Sequence, residues 1–173
     1  FATYALSDWY PGSSVTFISR YTRGAALSAL AGIATTHYVD EPVIVDLADI
    51  LYTSTTDLCS VFKTHTNCGG IALTFTSDNP AYSYLRLDNS GVFEEAVEKT
   101  VISNHASAGT YIFRDMATYL HALAHSLENQ KSQTFNDLFF VCPLFNGVKG
   151  QGKRVILEPV ADVIDIKMES KND

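Results

Sequence analysis

Two continuous apolar runs most constrain the fold of this chain. The first, VIVDLADIL, begins at Val43 directly after Pro42, and its lack of alternation is typical of a parallel strand that is buried on both faces. Before it, the β-branched and aromatic stretch VTFIS at residues 15–19 predicts a strand, and the alanine-rich RGAALSALAGIATTHY from Arg23 has the apolar spacing of a helix. The second run, GGIALTFTSD, begins at Gly69 and predicts a further strand. Strand, helix and strand in succession form a crossover unit, so we expect an α/β layer built on a parallel sheet.

Turn and capping signals define the elements that lie around these runs. A helix is predicted over residues 55–64, with Ser54 as its N-cap and Asp57 as the acidic member of a shortened capping box. The segment LRLDNSGVFEEAV from Leu85 predicts an antiparallel hairpin with a tight turn at DNSG.

The second half of the chain adds a strand over residues 107–113, a helix over residues 116–130 and a β-rich stretch, RVILEPVADVIDIKM, near the end. The whole sequence contains no internal repeat and no low-complexity segment. We therefore interpret residues 1–173 as a single α/β domain with a mixed, mostly parallel sheet, helices on both faces and one antiparallel hairpin.

The charge balance limits the partners of the chain. Its 19 acidic and 12 basic residues give a formal net charge of −7, which argues against nucleic acid as a partner, although a local basic pocket for one small phosphate stays open. No apolar run approaches the roughly 18 to 20 residues of a membrane helix, so we predict no membrane partner. The three cysteines lack metal-ligand spacing and are interpreted as thiols in a reducing cytosol, which predicts a cytoplasmic protein.

Two aspartates are candidates for metal binding. Asp46 and Asp49 lie at the end of the predicted strand VIVDLAD, and in open α/β sheets the ligand crevice lies beyond the carboxyl ends of the strands. An acid at that position could hold a divalent cation and its phosphates, and Asp49 is favoured because it is closer to the strand exit. The alternative is that both aspartates cap the following loop or helix, and their spacing does not decide between these roles.

The histidines do not predict a metal site. His121 and His125 are four residues apart on a predicted helix, but the sequence between them lacks the Glu of the zinc-protease motif.

Glu98 and Lys99 place an acid and a base side by side at the end of the second hairpin strand. Adjacent residues on a strand point to opposite faces, so one of the two faces the interior or a cleft. Glu is suited to bind the hydroxyl groups of a sugar, and Lys is suited to neutralise a phosphate. The alternative is an exposed strand end with no binding role.

Five segments of the chain together resemble the sugar-phosphate nucleotidyltransferases, the NDP-sugar pyrophosphorylases. They are, in order, TRGAALSAL, PVIVDLAD, GGIALTFTSDNPAYSYLRLDNSGVFEEAVEK, ISNHASAGTYIF and FVCPLFN. The resemblance covers nearly the whole chain and implies the Rossmann-like nucleotide-diphospho-sugar transferase fold, truncated at both ends. It also implies transfer of a nucleotidyl group from an NTP to a sugar 1-phosphate, with release of pyrophosphate and with Mg²⁺ as cofactor.

The resemblance assigns roles to individual residues. Asp49 matches the metal-binding aspartate that follows the central strand. Glu98 matches the acid that holds sugar hydroxyls, Lys99 matches the lysine that holds the sugar phosphate, and Gly109 matches the floor of the sugar pocket. The other residues implied in substrate binding are Tyr82, Ser83, which replaces a family glycine, Ala108 and Thr110.

Two parts of the family pattern are missing. The glycine-rich loop with an Arg and a Lys, which wraps the NTP phosphates, is absent from these 173 residues, so we expect the chain alone not to catalyse transfer at a useful rate. Near the other end, relatives carry a second acidic metal ligand and a Gly-Thr-Pro segment. That segment is absent from these 173 residues, and Asp162 and Asp165 are the nearby acids. Because the sequence starts with Phe1, we interpret the chain as a fragment or a shortened member.

Two alternative functions stay open. One is a non-catalytic domain that binds a sugar phosphate or a nucleotide sugar and serves regulation or assembly. The other is a glycosyltransferase of similar fold, which uses the nucleotide sugar instead of making it. The nucleotidyl transfer that the resemblance implies would supply precursors of bacterial cell-surface polysaccharide. Its partners would be small molecules, and a homo-oligomer is compatible with this activity.

Overall fold

The computed structural model describes residue 6 and residues 8–169. The strands are β1 (Val43–Asp46), β2 (Ile50–Thr53), β3 (Cys68–Thr76), β4 (Tyr84–Leu87), β5 (Phe93–Val97), β6 (His105–Phe113), β7 (Arg154–Pro159) and β8 (Ala161–Asp165). The helices include α1 (Ala25–Ile33), α2 (Leu58–Thr64), α3 (Met116–Glu128), α4 (Gln130–Gln133), α5 (Leu144–Gly150) and α6 (Ile166–Glu169).

Six of the strands form one mixed sheet around β6. The hydrogen-bonded order is β5-β4-β6-β3-β7, and β1 pairs with β6 outside this path. β6 bonds to β3 along one edge, while β1 and β4 share its other edge, with Asp46 opposite Thr110 and Tyr84 opposite Ala106. Four strands run in one direction and β5 and β6 run in the other, so β3 and β7 are the one parallel pair among the strands described. β2 and β8 form a separate antiparallel pair.

Helices cover both faces of the sheet, because its central strands alternate their apolar side chains between the two faces. On one face, Ala72 and Phe113 are buried with apolar side chains of α1, α3 and α5. On the other face, Ile71 and Ile112 pack with side chains of α2 and with Tyr52 of β2. The removal of these side chains from water is the main driving force that holds the two layers to the sheet.

The chain has the predicted α/β fold, with a mixed sheet, helices on both faces and an antiparallel hairpin. The expectation that the sheet is mostly parallel is wrong: among the described residues, four of its five strand pairings are antiparallel, because β6 runs opposite to β1, β3 and β4 and β5 runs opposite to β4. The strand predicted from Gly69 is β3, and the strand predicted over residues 107–113 is β6. The helix predicted over residues 116–130 is α3, which ends two residues early at Glu128.

The hairpin between β4 and β5 has the turn that its sequence predicts. Oδ1 of Asp88 accepts hydrogen bonds from the amides of Ser90 (2.8 Å) and Val92 (2.9 Å). Gly91 has a φ of +75°, a left-handed conformation that glycine adopts without the steric cost of a Cβ. The DNSG turn therefore fixes the register of β4 and β5.

The strand predicted at residues 15–19 is wrong. These residues are not paired into either sheet, and Phe17 is 79% exposed. β-Branched and aromatic residues favour strands because they pack on a pleated, half-buried surface, whereas residues 15–19 are all exposed. The predicted crossover unit therefore lacks its first strand.

The prediction that VIVDLADIL forms one parallel strand buried on both faces is also wrong. The run divides into β1 and β2, because Oδ1 of Asp46 accepts a hydrogen bond from the amide of Ala48 (2.7 Å) and Ala48 has a φ of +57°. β1 lies antiparallel to β6, and Ile44 is 55% exposed.

The N-cap of α2 is Asp57 and not Ser54. Oδ1 of Asp57 accepts hydrogen bonds from the amides of Cys59 (3.0 Å) and Ser60 (3.2 Å), so the helix begins at Leu58 instead of residue 55. Oγ of Ser54 accepts a hydrogen bond from the amide of Thr56 (3.2 Å), which forms a local turn before the helix.

All three cysteines are free thiols. Cys59 is exposed, and Cys68 and Cys142 are buried.

Over residues 8–169, no helix combines the length and the apolar character that crossing a bilayer requires.

Candidate functional site

A cleft opens where β1 and β4 separate along their shared edge of β6. At one end the amide of Leu47 donates to the carbonyl of Gly109 (3.1 Å), and at the other the amide of Ser107 donates to the carbonyl of Ser83 (2.9 Å). The cleft has a volume of about 130 Å³. A space of this size encloses a phosphate or part of a sugar ring rather than a whole nucleotide sugar.

Six of the eight predicted site residues line this cleft, namely Asp49, Tyr82, Ser83, Glu98, Lys99 and Gly109. The other two, Ala108 and Thr110, alternate with Gly109 on β6. Ala108 is buried with the side chains that face α2, and Oγ1 of Thr110 donates to Oδ2 of Asp46 (2.6 Å). The structure therefore places these two side chains outside the cleft.

Gly109 forms the floor of the cleft. Its φ of +80° lies in the left-handed region, where residues with a Cβ are disfavoured. A Cβ at this position would lie 3.6 Å from Oδ1 of Asp49 and 3.7 Å from Cβ of Leu47. The glycine thus provides both the backbone conformation and open space beside Asp49.

Glu98 is a buried carboxyl group at the cleft. It is 7% exposed, and Oγ of Ser83 donates a hydrogen bond to its Oε2. Burial raises the pKa of Glu98, and the hydrogen bond from Ser83 and the charge of Lys99 offset part of that rise. A carboxyl group oriented in this way is a fixed hydrogen-bonding partner for a hydroxyl group.

Lys99 turns toward the same cleft because β5 has already ended. Its φ is +52°, and its amide donates to the carbonyl of Tyr82 (3.1 Å), which joins this loop to the segment before β4. The ammonium lies 5.8 Å from the centre of the Phe140 ring, a cation–π distance. The sequence predicts that one of Glu98 and Lys99 faces a cleft, and in the structure both of them line it.

A second group of polar side chains lies on the side of β2 and β8. The hydroxyl of Tyr82 donates to Oδ2 of Asp165 (2.9 Å), and the amide of Lys167 donates to Oδ1 of Asp165 (2.9 Å). The ammonium of Lys167 forms an ion pair with Asp49. β2 pairs with β8, and next to this pairing the amide of Ile166 donates to the carbonyl of Asp49 (3.1 Å). Asp49 and Asp165 therefore lie close together.

Tyr82 connects the two halves of the site. Burial and the hydrogen bond to Asp165 raise the pKa of Tyr82 to about 12. The phenol therefore stays protonated near neutral pH and continues to donate its proton to Asp165. Its ring packs edge-on against Phe75, with the ring centres 5.1 Å apart.

Asp46 has the capping role that its sequence context left open. Its Oδ1 holds the turn at Ala48 (2.7 Å), and its Oδ2 accepts from Thr110 (2.6 Å). The hydroxyl of Tyr52 lies 2.6 Å from Oγ1 of Thr110 and extends this network. Both carboxylate oxygens of Asp46 are thus engaged within the protein.

The predicted Mg²⁺ ligand does not have the surroundings that Mg²⁺ requires. This ion takes octahedral oxygen ligands and keeps several of its waters. Oδ2 of Asp49 is paired with Lys167, and both oxygens of Asp165 accept hydrogen bonds, so the ammonium beside these oxygens makes the donor set unfavourable for Mg²⁺ while Lys167 is in place. Within the described part of the chain, no group of three His, Cys, Asp or Glu side chains is arranged to hold a metal ion. The Mg²⁺ cofactor stays a prediction.

Phe140 and Lys167 are among the cleft residues that sequence reasoning missed. The aromatic stretch TFNDLFFVCPLFNGV contains Phe140, but no local motif assigns it to a site. Lys167 is 118 residues away from Asp49 in the sequence. Only the pairing of β2 with β8 brings the two together, so no local pattern indicates their contact.

Comparison with known proteins gives structural relatives only. No protein-family model and no curated protein sequence matches the chain. The structure is similar to that of a nucleoside-diphosphate-sugar pyrophosphorylase from Vibrio cholerae, with 18% identity and a TM-score of 0.74 over 90% of this chain and 66% of that protein. It is also similar to a Bacillus anthracis protein, described as a glucose-1-phosphate thymidylyltransferase and solved with sucrose, with 17% identity and a TM-score of 0.65 over 99% of this chain and 69% of that protein.

A third similar structure is UDP-glucose pyrophosphorylase complexed with UDP-glucose, with 17% identity and a TM-score of 0.62 over 91% of this chain and 65% of that protein. The matches cover nearly all of this chain, but the chain spans only 65% to 69% of the length of these relatives. At such low identity the similarity establishes the path of the backbone. The chain has the Rossmann-like fold of the NDP-sugar pyrophosphorylases.

Proposed function

We propose that this chain is a nucleotidyltransferase-like domain whose cleft binds the phosphorylated sugar acceptor of a nucleotidyl transfer. The supporting observation is that Glu98 and Lys99 border one cleft with Gly109 at its floor. Proteins of the same fold include a nucleoside-diphosphate-sugar pyrophosphorylase and a UDP-glucose pyrophosphorylase complexed with UDP-glucose. The proposed reaction transfers a nucleotidyl group from an NTP to a sugar 1-phosphate and releases pyrophosphate.

The cleft residues divide the recognition of a sugar phosphate between them. The carboxyl group of Glu98, oriented by Ser83, binds a ring hydroxyl. The ammonium of Lys99 neutralises the phosphate, which a compact charge on a flexible stem does well. Gly109 leaves room for the ring to approach the strand backbone. These roles require a hydroxyl group and a phosphate on the same small ligand.

The chemical step of the proposal is an in-line displacement. An oxygen of the acceptor phosphate attacks the α-phosphorus of the NTP, a new P–O bond forms, and the bond to the β-phosphate breaks so that pyrophosphate leaves with the electron pair. Catalysis of such reactions depends on positioning and charge neutralisation rather than on a covalent intermediate. Glu98 and Lys99 contribute by holding the acceptor in line.

The setting of the reaction is part of the same proposal. The protein acts in the cytoplasm on an NTP and a sugar phosphate, in the supply of precursors for bacterial polysaccharide. The resemblance predicts Mg²⁺ as cofactor, but Asp49 is paired with Lys167, so no step is assigned to the metal.

A thermal-shift experiment tests the acceptor site. We expect glucose 1-phosphate, or another member of a sugar 1-phosphate panel, to raise the melting temperature of the chain. Glu98→Gln and Lys99→Met each remove one charge and keep most of the volume, and both should abolish the shift. Glu128→Gln and Lys131→Met make the same changes at exposed positions of α3 and α4 and should leave it intact.

Other outcomes would decide against the proposal. Equal shifts in all five proteins would remove Glu98 and Lys99 from the acceptor site. A shift with UDP-glucose but with no sugar 1-phosphate would favour a glycosyltransferase. Binding of a sugar 1-phosphate by a longer gene product that carries a glycine-rich loop, without pyrophosphate release in the presence of any NTP, would favour a binding domain.

A further inference from the structure

The cleft contains a second ammonium group that the proposed acceptor site does not use. Lys167 lies on α6, lines the cleft and forms an ion pair with Asp49. The side chain of Lys167 is 71% exposed, whereas that of Asp49 is 24% exposed. The carboxylate is thus the more buried partner of the pair, and the ammonium is the more exposed one.

The backbone around Lys167 is held in place by Asp49, which lines the cleft, and by Asp165. Oδ1 of Asp165 accepts from the amide of Lys167 (2.9 Å), and the carbonyl of Asp49 accepts from the amide of Ile166 (3.1 Å). Oδ2 of Asp165 is held by the hydroxyl of Tyr82 (2.9 Å). The start of α6 is therefore fixed on both aspartates, and this position directs the lysine to Asp49.

An ammonium at this position affects what the cleft can bind. A phosphate that enters beside Asp49 meets a carboxylate, and two negative charges at close range repel each other. A cation between them removes the repulsion. A divalent metal could serve as this cation, but the ammonium of Lys167 already lies on Oδ2 of Asp49, and its positive charge disfavours a second cation beside the same carboxylate.

We propose that Lys167 supplies the cation of this cleft: its ammonium neutralises Asp49 and contacts the phosphate of a bound ligand, in the position that a divalent metal would otherwise take. An ammonium has three N–H donors, so it can contact a carboxylate and a phosphate together. The contact with the phosphate rests on the proposed function, whereas the exclusion of the metal from Asp49 does not.

Binding of Mn²⁺ alone, measured by electron paramagnetic resonance, tests the exclusion. Lys167→Met keeps the apolar stem and removes the charge, and we expect it to bind Mn²⁺ about tenfold more tightly than the unaltered chain. Lys167→Arg should bind as weakly as the unaltered chain, and Lys131→Met, at an exposed position on α4, should change nothing. Asp49→Asn in the Lys167→Met background should abolish the gain.

Two results of this arm would overturn the exclusion. One is Mn²⁺ binding by the unaltered chain that is as tight as in Lys167→Met and is lost in Asp49→Asn. The other is no detectable Mn²⁺ binding by the unaltered chain or by Lys167→Met. If the ammonium keeps the metal away from Asp49, its removal must allow the metal to bind. Melting temperatures of the variants, expected to be close to that of the unaltered chain because Lys167 is mostly exposed, show that each protein is folded.

Binding of glucose 1-phosphate by calorimetry, with and without EDTA, tests the contact with the phosphate. We expect EDTA to have no effect on the unaltered chain, and Lys167→Met to bind about tenfold more weakly, with most of the loss restored in Lys167→Arg. A loss of affinity on adding EDTA, or unchanged affinity in Lys167→Met, would refute the role of Lys167. If no sugar phosphate binds the unaltered chain, the proposed function fails, and the Mn²⁺ measurements still decide whether Lys167 occupies the cation position.

Discussion

Gly109 lies directly beside the carboxylate of Asp49, so that a Cβ on the glycine would be 3.6 Å from Oδ1 of the aspartate. The two residues belong to different parts of the fold, Gly109 to the central strand β6 and Asp49 to the turn between β1 and β2. The missing side chain at residue 109 is therefore what keeps the space beside Asp49 open.

This relationship predicts two separate effects of Gly109→Ala. The left-handed φ of +80° should reduce the free energy of unfolding by about 1 to 2 kcal/mol, and the new methyl group should weaken the binding of a sugar phosphate. Gly152→Ala is a matched control, because Gly152 has a φ of +73° and no atom within 4 Å of its built Cβ. Urea unfolding should give similar losses for both variants, while calorimetry should show weaker ligand binding only for Gly109→Ala. Equal binding by both would mean that residue 109 is not the floor of the ligand site.

The N-cap of α2 gives a second prediction. Asp57→Ala removes the acceptor for the amides of Cys59 and Ser60, so we expect a loss of about 1 kcal/mol in the free energy of unfolding. Ser54→Ala removes only an exposed local hydrogen bond and should cost less than about 0.5 kcal/mol. Chemical unfolding of both variants measures the difference. A larger loss in Ser54→Ala would show that the helix starts three residues earlier.

The buried carboxyl group of Glu98 predicts a pH dependence of stability. Its pKa is raised above 4.5 by burial, so above that pH the folded protein holds the proton more strongly than the unfolded chain. The free energy of unfolding should therefore fall as the pH rises from the ordinary to the raised pKa of the group. Glu98→Gln lacks this ionisation, so its stability relative to the unaltered chain should increase over the same interval.

Unfolding curves at intervals between about pH 4 and about pH 8 measure this difference. Glu128→Gln, at an exposed position on α3, is the control and should show no such trend. A stability difference for Glu98→Gln that stays constant with pH, or that is largest in acid, would contradict the raised pKa.

Asn146 on α5 gives a fourth prediction, because its side chain completes the hydrogen bonds of an edge strand. Its Oδ1 accepts from the amide of Ala96 (2.9 Å), and its Nδ2 donates to the carbonyl of Ala96 (2.8 Å) and to Gln133 (2.9 Å). Asn146→Ala leaves both backbone groups of Ala96 without these bonds, so we expect a loss of about 1 to 3 kcal/mol. Gln133→Ala removes only the third bond and should cost less. Equal losses in denaturant unfolding would mean that the contact with Ala96 contributes nothing.

The parts of the fold that the sequence predicts correctly are those set by local patterns. The turn at Asp88 and Gly91 requires specific residues at specific positions, and the strand from Gly69 is a long apolar run bounded by polar residues. Ser54 and Asp57 are both good capping residues, so the choice between them depends on where the chain leaves β2, which neither residue encodes.

The errors concern features that depend on distant partners. The run from Val43 reads as a buried parallel strand, but its direction and exposure are set by pairing with β6, more than 60 residues later in the chain. The candidate site follows the same rule. Glu98, Lys99 and Gly109 are predicted by a resemblance that spans consecutive segments, and they line one cleft, whereas Lys167 reaches Asp49 through a pairing that no local pattern indicates.

The separation of β1 and β4 along one edge of β6 makes the cleft an interruption in a sheet rather than a hollow between loops. A ligand bound there would lie in the place of the strand segment that is missing from that edge. It would link the end of β1 to the start of β4 and so oppose the opening of either strand. Amide hydrogens of Leu47 and Ser107, which form the two hydrogen bonds at the ends of the gap, should then exchange with solvent more slowly when the cleft is filled.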